Sequence, residues 1–331
     1  MSNPPKCLIA TAMRNEGAFI VEWVTWYRML GFEIVVATND CTDHSPPLLD
    51  ALAQAGWLTH VPHDPPDGMP PQKAAHRLLH KHPLVRAADW VLTCDVDEFL
   101  VLHHAETVQD YLGPAPWDCL GIAFSWKNFG TSGWQRYQPG LVHRQFKRTG
   151  MPKQPTNRPF KSMHRRADLF ARLGAHTPHG FRGDWSDPAN AWVNGAGEVL
   201  PEFAERDNHP IRFLLKRQID HSAAQMNHYV LRSVEHYAAK KGTLSASSFT
   251  DRYTDDFFDR RDKNGMKDDT ALRFAARFDP LYAQAMAFPG VARLHHLCCA
   301  DYVARLCAAQ GVDPQSDPRW QTAMAAADAA G

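Results

Sequence analysis

Asp89-Trp90-Val91-Leu92-Thr93-Cys94-Asp95-Val96-Asp97-Glu98-Phe99-Leu100-Val101 is the stretch around which the rest of the chain is organised. A run of strand-forming residues leads directly into three carboxylates, Asp95, Asp97 and Glu98, and an apolar run follows them. Acids at this density are poor strand residues, and burying them unpaired is costly. The pattern predicts a site for a hard divalent cation, Mn²⁺ or Mg²⁺, at the end of a buried strand. The alternative is a surface β-turn whose acids face water.

The composition of the chain is that of an ordinary soluble globular protein. Its 331 residues are 44% hydrophobic, and 36 basic and 36 acidic residues give a formal net charge of 36 − 36 = 0. This balance argues against a general nucleic-acid-binding protein. We expect no signal peptide and no transmembrane segment, because no apolar run approaches roughly 18 residues; peripheral membrane association stays open. Seven scattered cysteines without a CxxC pair favour reduced thiols in the cytoplasm.

Strands and helices are predicted to alternate along the N-terminal part of the chain. The predicted strands are 6–13, 33–38, 57–61 and 90–94, and the predicted helices are 19–30, 46–55 and 72–82. Asn15 stands where it could cap the first helix. Such alternation produces right-handed crossovers and a mostly parallel sheet with helices on both faces. The pattern predicts helices again through Ile211, Leu214, Leu215 and Ile219, at 229–241, and in an Ala-rich region after about residue 270.

Three of the predicted strands end in polar loops that contain acids or amides. In a parallel sheet these loops meet at one edge, where α/β proteins bind nucleotides. Neither GxGxxG nor GxxxxGK[ST] is present, so a metal rather than a glycine loop is expected to hold the phosphates. The three loops are Arg14-Asn15-Glu16, Asn39-Asp40-Cys41-Thr42-Asp43 and Asp95-Val96-Asp97-Glu98.

The order of these motifs resembles the nucleotide-sugar half of GT-A glycosyltransferases, most of all the family 2-like and family 92-like branch. The resemblance spans roughly residues 6 to 265, and Cys41 stands where the family usually has Ser. It implies an α/β fold of the GT-A type, Rossmann-like, followed by C-terminal helices. Downstream, the resemblance rests on Phe129-Gly130-Thr131-Ser132-Gly133, Lys161-Ser162, Gly174-Ala175-His176-Thr177-Pro178, Asn227-His228-Tyr229, Ser233 and Lys240.

The resemblance implies a set of residues around the nucleotide sugar. The 39–43 loop could instead be an Asx-turn, and Lys73 could be a solvated lysine at a helix start. The implied donor-binding residues are Arg14, Asn15, Glu16, Asn39, Asp40, Asp43, Gln72, Lys73, Asp95 and Lys161.

The resemblance also implies the metal ligands. Asp97 is the expected direct ligand; Asp95 is expected to bind directly, through water, or to touch the ribose instead. Glu98 is expected to support the loop. A third ligand is expected from a downstream histidine, His228 by position or else His176, although either ring could simply be hydrogen-bonded in the core.

A metal suits this chemistry because breaking a sugar–nucleotide bond leaves extra negative charge on a diphosphate. Basic side chains can share that task, and Lys161, Arg165, Arg166 and Arg182 are the candidates, unless they form a simple basic surface.

The second half of the chain is expected to hold the acceptor, a glycan or glycoconjugate. The 126–134 segment mixes aromatic, amide and hydroxyl groups that suit a carbohydrate, although it could be a glycine-rich loop pinned by core aromatics. An inverting transferase needs a carboxylate to accept the proton of the attacking hydroxyl. Asp184 and Asp187, in the polar loop 176–187, are the leading candidates, ahead of Asp118 and Asp168.

The sequence therefore favours a metal-dependent glycosyltransferase that uses a nucleotide-diphosphate sugar, a UDP-sugar first. A bacterial surface polysaccharide pathway is the expected setting. Three parts are expected: a donor half at 1–112, an acceptor half at 113–240 and a helical region at 241–331. The alternatives are a haloacid-dehalogenase-type phosphatase, which also places Asp-x-Asp after an apolar strand, and a non-catalytic glycan- or nucleotide-binding protein.

Overall fold

The computed structural model describes residues 3–113, 117–205, 211–245 and 248–331. The strands are β1 Cys7–Met13, β2 Glu33–Thr38, β3 Thr59–Pro62, β4 Trp90–Thr93, β5 Glu98–Leu102, β6 Gly121–Asn128, β7 Arg148–Thr149, β8 Phe160–His164, β9 Trp192–Asn194, β10 Ala224–His228 and β11 Met266–Lys267. The helices are α1 Gly17–Met29, α2 Ser45–Gln54, α3 Pro71–Lys81, α4 Pro83–Ala87, α5 Val108–Leu112, α6 Val142–Gln145, α7 Glu202–Glu205, α8 Val234–Ala238, α9 Asp255–Arg261, α10 Ala275–Met286, α11 Val291–Gln310 and α12 Pro318–Ala329.

One sheet runs through most of the chain, in the order β3-β2-β1-β4-β8-β6-β10-β5, with β9 beside β6. The strands β1 to β4 are mutually parallel. The strand β8 is antiparallel to both β4 and β6, and β10 is parallel to β6 but antiparallel to β5. The predicted fold class, a mostly parallel α/β sheet with helices around it and C-terminal helices, is confirmed.

The side chains of the parallel strands alternate between two hydrophobic layers. In β1, Cys7 and Ile9 join the larger core together with α1 and α2, whereas Leu8 and Ala10 join a smaller core with α3 and α4. This period of two follows from the pleat of a strand that is buried on both faces. The larger core also includes residues of β6 and α11, so it extends through all three of the predicted parts.

The C-terminal helices pack directly on the first helix. The helices α10 and α11 lie against α1, and α11 also contacts α2. A Cβ atom at Gly17 would stand 2.3 Å from Sγ of Cys298, so only glycine allows α11 to approach the start of α1 this closely. No helix in the described ranges is both long and apolar enough to span a membrane.

Three predicted elements differ from the structure. The helix predicted at 229–241 forms only at α8, Val234–Ala238, because β10 ends at His228 and the chain then runs irregularly to the Ser233 cap. The region 211–219 was expected to be helical from its apolar spacing, but it contains only a 3₁₀ turn at Lys216–Gln218 and leads into β10. Its side chains Ile211 and Leu214 instead pack against Phe160 and Trp192 in a separate aromatic cluster. The third strand begins at Thr59 rather than residue 57, because Trp57 caps the end of α2 by donating from its N–H to the Leu52 carbonyl.

The buried histidine of β8 makes the fold sensitive to acid. Burial, with a smaller contribution from His80, lowers the pKa of His164 from 6.5 to about 3. His164 therefore binds a proton below about pH 6.5 in the unfolded chain but only near pH 3 in the folded chain. The free energy of unfolding falls as the pH drops between these two values. We expect this residue to contribute a loss of about 1.4 kcal/mol for each pH unit below 6.5.

The variant His164→Gln should accordingly lose less stability than the unmodified chain between pH 7 and pH 5, as measured by urea unfolding. The variant His104→Gln, at an exposed position, serves as the matched control and should show the full loss. Equal pH dependence in all three proteins would contradict this assignment.

Candidate functional site

The loops after β1 and β2 join at one edge of the sheet, as predicted from the parallel strands. The Asn15 amide donates to the Thr42 hydroxyl at 3.0 Å and accepts from the Thr42 N–H at 2.8 Å. The carboxylate of Asp43 accepts from the N–H of Gly17 at 3.2 Å. Asn15 itself has a left-handed backbone, with φ of 57°, and does not cap α1, which begins after Glu16. The prediction of an Asn15 cap is therefore wrong.

The acidic turn between β4 and β5 is held from beneath by α1. The indole N–H of Trp23 donates to the Asp95 carbonyl at 3.1 Å, and the Tyr27 hydroxyl donates to the Glu98 carbonyl at 3.0 Å. Both helix residues are fully buried. The carbonyl groups of the turn are thus satisfied inside the core, which fixes the directions of its carboxylates.

A buried lysine links two of these carboxylates. The ammonium of Lys161, on β8, lies 2.8 Å from Asp95 and 3.1 Å from Glu98. Burial alone would raise the pKa of Asp95, but Lys161 lowers it to about 2. Burial also raises the pKa of Glu98, against the attraction of Lys161. Because Gln72 donates to the other oxygen of Asp95 at 2.9 Å, that side chain is held on both sides.

The pairing of β10 with β5 and β6 places His228 beside the acids. His228 lies opposite Glu98 in the antiparallel register and opposite Asn128 in the parallel register. Its Nδ1 lies 2.9 Å from the side-chain oxygen of Asn128, which fixes the proton on that nitrogen. The lone pair of Nε2 is then directed at Asp97, 3.8 Å away, and at Glu98, 4.0 Å away. Burial lowers the pKa of His228 to about 3, so the ring is neutral at pH 7.

Asp97, Glu98 and His228 fit a divalent cation. One ligand atom from each lies within 4.8 Å of the other two. Two ligand atoms that are each about 2.1 Å from one ion stand no more than about 4.2 Å apart, which the two histidine distances satisfy. Moreover, Oε1 of Glu98 is buried and has no hydrogen-bond partner among the residues that the structure describes. A buried carboxylate oxygen without a donor is unfavourable unless a cation meets it.

A cleft of about 660 Å³ opens over this group. It is walled by the loops after β1 and β4, the 175–179 segment, the end of β10 and residues of α8, α9 and α11. Several of the predicted site residues line it together: Arg14, Asn15, Glu16, Gln72, Asp95, Asp97, His176 and His228.

The cleft also contains a group of cations, of which the sequence singled out only Arg14 and Lys240. In the described part of the chain, none of them forms an ion pair with a carboxylate. Crowding is evident at Arg261, whose pKa is lowered to about 10 by burial and by the charges of Arg252 and Arg260. The cleft cations are Arg14, Lys240, Arg252, Arg261 and Arg305.

The metal group differs from the predicted one at three residues. Asp95 is not part of the three-residue group, because Lys161 and Gln72 already hold its oxygens. His176 lines the cleft, but its Nδ1 lies 2.8 Å from the Phe160 carbonyl and it is also outside the group. Glu98 was expected only to support the loop; it does so, through the Asp95 N–H at 3.0 Å, and it joins the group as well.

Other predicted donor residues lie near the cleft without lining it. Asn39, Asp40 and Asp43 are engaged in hydrogen bonds within their own loop and with the start of α1. Lys161 is buried beneath Asp95, and Lys73 is exposed at the start of α3. Their contact with a nucleotide stays a prediction.

The predicted catalytic acids also lie outside the cleft lining. The carboxylate of Asp184 accepts from Ser186, and that of Asp187 accepts from the Ala189 N–H at 3.0 Å. Their role as proton acceptors stays a prediction that this arrangement does not support. The basic candidates Arg165, Arg166 and Arg182 are likewise absent from the cleft lining; Arg166 pairs with Asp168 on the surface.

No protein-family model and no curated protein matches the chain. Similar solved structures include TarS from S. aureus, which has also been solved in complex with UDP, and the mannosyltransferase PcManGT from Pyrobaculum calidifontis in complex with GDP-Man and Mn²⁺. TarS is 13% identical, with 98% of this chain and 92% of its own covered and a TM-score of 0.36. PcManGT is 15% identical, with 99% and 86% covered and a TM-score of 0.37. These values do not assign the chain to a family.

The Lys161 ion pairs should be necessary for stability. Replacing one partner of a buried pair leaves an uncompensated charge, so Lys161→Met should lower the free energy of unfolding by about 3–5 kcal/mol. Adding Glu98→Gln removes one of the two acids that have lost their cation and should recover part of this loss. We expect an interaction free energy between the two substitutions of roughly 0.5–3 kcal/mol. Urea unfolding of Lys161→Met, of Glu98→Gln and of the double variant measures the effect.

The surface pair of Arg166 and Asp168 provides the comparison. Arg166→Gln should cost less than about 1 kcal/mol, because the pair is exposed and screened by solvent. Additive losses in the Lys161 and Glu98 variants would show that the two side chains do not depend on each other.

Proposed function

We propose that this protein is a metal-dependent glycosyltransferase of the GT-A type, of the family 2-like or family 92-like branch. It transfers a sugar from a nucleotide-diphosphate sugar, with a UDP-sugar as the favoured donor, to a hydroxyl of a glycan or glycoconjugate. Inversion at the sugar carbon and a cytoplasmic setting belong to the same proposal. The observation that supports it is the opposition, within one cleft, of the Asp97–Glu98–His228 group and the cleft cations, which have no acidic partner among the described residues.

A nucleotide diphosphate suits this distribution of charge. Asp97, Glu98 and His228 would hold Mn²⁺ or Mg²⁺, which stabilises the negative charge that develops on a departing diphosphate. Lys240, Arg252 and Arg305 belong to other walls of the same cleft and can meet the remaining phosphate charge. Arg305 is positioned by a carbonyl rather than by an acid: its guanidinium donates to the Asn15 carbonyl at 3.0 Å.

The nucleoside is proposed to lie at the loop after β1. Asn15 and Glu16 line the cleft there, and the contact between Asn15 and Thr42 holds this loop to the one after β2. Glu16 is oriented by the buried Arg232, whose guanidinium lies 3.4 Å from its carboxylate. Asn15 and Glu16 thus present fixed polar groups at the edge where parallel sheets bind nucleotides.

The proton acceptor for the attacking hydroxyl is proposed to be a carboxylate, and Asp184 and Asp187 are the candidates that the sequence favours. Each is at present bound within its own turn. For either to act, its loop must approach the cleft once both substrates are bound.

The variant Asp97→Asn tests the metal group. Because an amide cannot replace the carboxylate as an anionic ligand, we expect stabilisation by nucleotide to lose its dependence on Mn²⁺, and turnover to fall by more than roughly 100-fold. Thermal shifts with UDP-, GDP-, CMP- and dTDP-sugars, with and without Mn²⁺, measure the first effect. Release of nucleotide diphosphate measures the second.

Asp328→Asn, at an exposed position on the last helix, is the matched control and should leave both readouts unchanged. If Asp97→Asn keeps metal-dependent turnover, the assignment of Asp97 as a metal ligand is wrong. Release of inorganic phosphate instead of nucleotide would point to the phosphatase, and stabilisation by nucleotide without any turnover would point to a binding protein.

A further inference from the structure

A second group of basic residues lies in and next to the part of the cleft formed by the start of α3 and the 175–179 segment. It consists of Lys73, Arg172, His179 and Arg212, and is called the basic wall below. His179 and Arg212 line the cleft itself. Lys73 follows Gln72, whose amide holds Asp95 at the cleft floor.

The local backbone brings two members of the basic wall together. Arg172 and His179 form an isolated antiparallel bridge, with the N–H of His179 donating to the Arg172 carbonyl at 2.9 Å. Residues opposite each other in such a bridge project their side chains from the same face. The turn between them contains Gly174, where a Cβ atom would stand 2.5 Å from the His179 ring, so glycine allows the ring to fold over the turn.

No acid among the residues with described positions pairs with the basic wall. Burial lowers the pKa of His179 to about 4, and the charged groups that add to this effect, Arg172, Arg212 and Lys73, are all positive. The salt bridges found among the described residues include none of these cations. Like charges gathered without counter-ions repel one another, and an anionic ligand is what would relieve that repulsion.

The position of the basic wall separates it from the place proposed for the donor. The helix α11, which carries Arg305, packs on the α1 side of the sheet, whereas Lys73 comes from α3, on the opposite side. Arg212 also acts on His176, which lies beside Asp95. An anion on the basic wall would therefore approach the donor sugar from the side opposite the nucleoside.

We propose that the basic wall is an anion-binding subsite for the acceptor, and that the acceptor is a glycan that bears phosphate or carboxylate groups. The identification of the bound anion as the acceptor rests on the proposed function, but the anion subsite itself can be tested separately. Two or three cations around one anion form charge-assisted hydrogen bonds, which are stronger than those to neutral hydroxyls.

The test compares glucose, glucose 6-phosphate and glucuronate as probes, titrated into the full chain with UDP and Mn²⁺ present in excess. Calorimetry should give a dissociation constant at least tenfold lower for one of the two charged sugars than for glucose, and the better of the two identifies the preferred anion. The double variant Arg172→Gln/Arg212→Gln should lose at least tenfold in affinity for that sugar while its affinity for UDP changes less than twofold. Arg293→Gln, exposed on α11, should behave like the unmodified chain.

The outcomes separate the two proposals. Equal binding of all three sugars, or a double variant that binds the charged sugar normally, overturns the anion subsite. Displacement of the charged sugar by UDP places it in the nucleotide site and also overturns it. If UDP fails to bind but the charged sugar still binds through Arg172 and Arg212, the anion subsite stands and the glycosyltransferase proposal fails.

Discussion

The buried ammonium of Lys161 is the interaction on which the site depends. It is almost completely removed from solvent and lies between Asp95 and Glu98, two carboxylates from the same turn. Without it, the turn would gather three acids against the core with no cation in contact with Asp95 or Glu98, which is unfavourable. With it, Asp95 is ionised and fixed, and one oxygen of Glu98 is satisfied while the other is left facing His228. The pair therefore determines both the stability of the turn and the direction of the free ligand atoms.

The second half of the chain completes what the first half begins. The strands β8 and β10 supply Lys161 and His228, and both arrive through antiparallel pairings that a simple strand–helix alternation does not produce. The helix α11 supplies Arg305 and holds the loop after β2 through Asp301, which accepts from the His44 N–H at 2.9 Å. The C-terminal helices are thus part of the site rather than an addition to it.

Local signals in the sequence were sufficient for the parallel half of the sheet. The strand β2 was predicted at its observed bounds, and β1 and β4 to within one residue, because each is a short apolar run closed by a polar loop. His228 was identified from its position in the motif order. The helix predicted at 211–219 is wrong because apolar residues at helical spacing can also pack against an aromatic cluster from an irregular segment. Arg252, Arg261 and Arg305 have no local pattern, because only tertiary packing brings them to one cleft.

The zero net charge of the chain conceals a strong segregation of charge. The metal group and Asp95 concentrate negative charge on the floor of the cleft, and cations without a carboxylate partner among the described residues stand around it. Such a field attracts anions to the rims and a divalent cation to the floor, where Lys161 compensates Asp95 and only one oxygen of Glu98. A substrate that carries its own diphosphate and metal neutralises one side and the floor together. The basic wall then remains uncompensated, and this remainder is the physical reason to expect a second anion in the assembled complex.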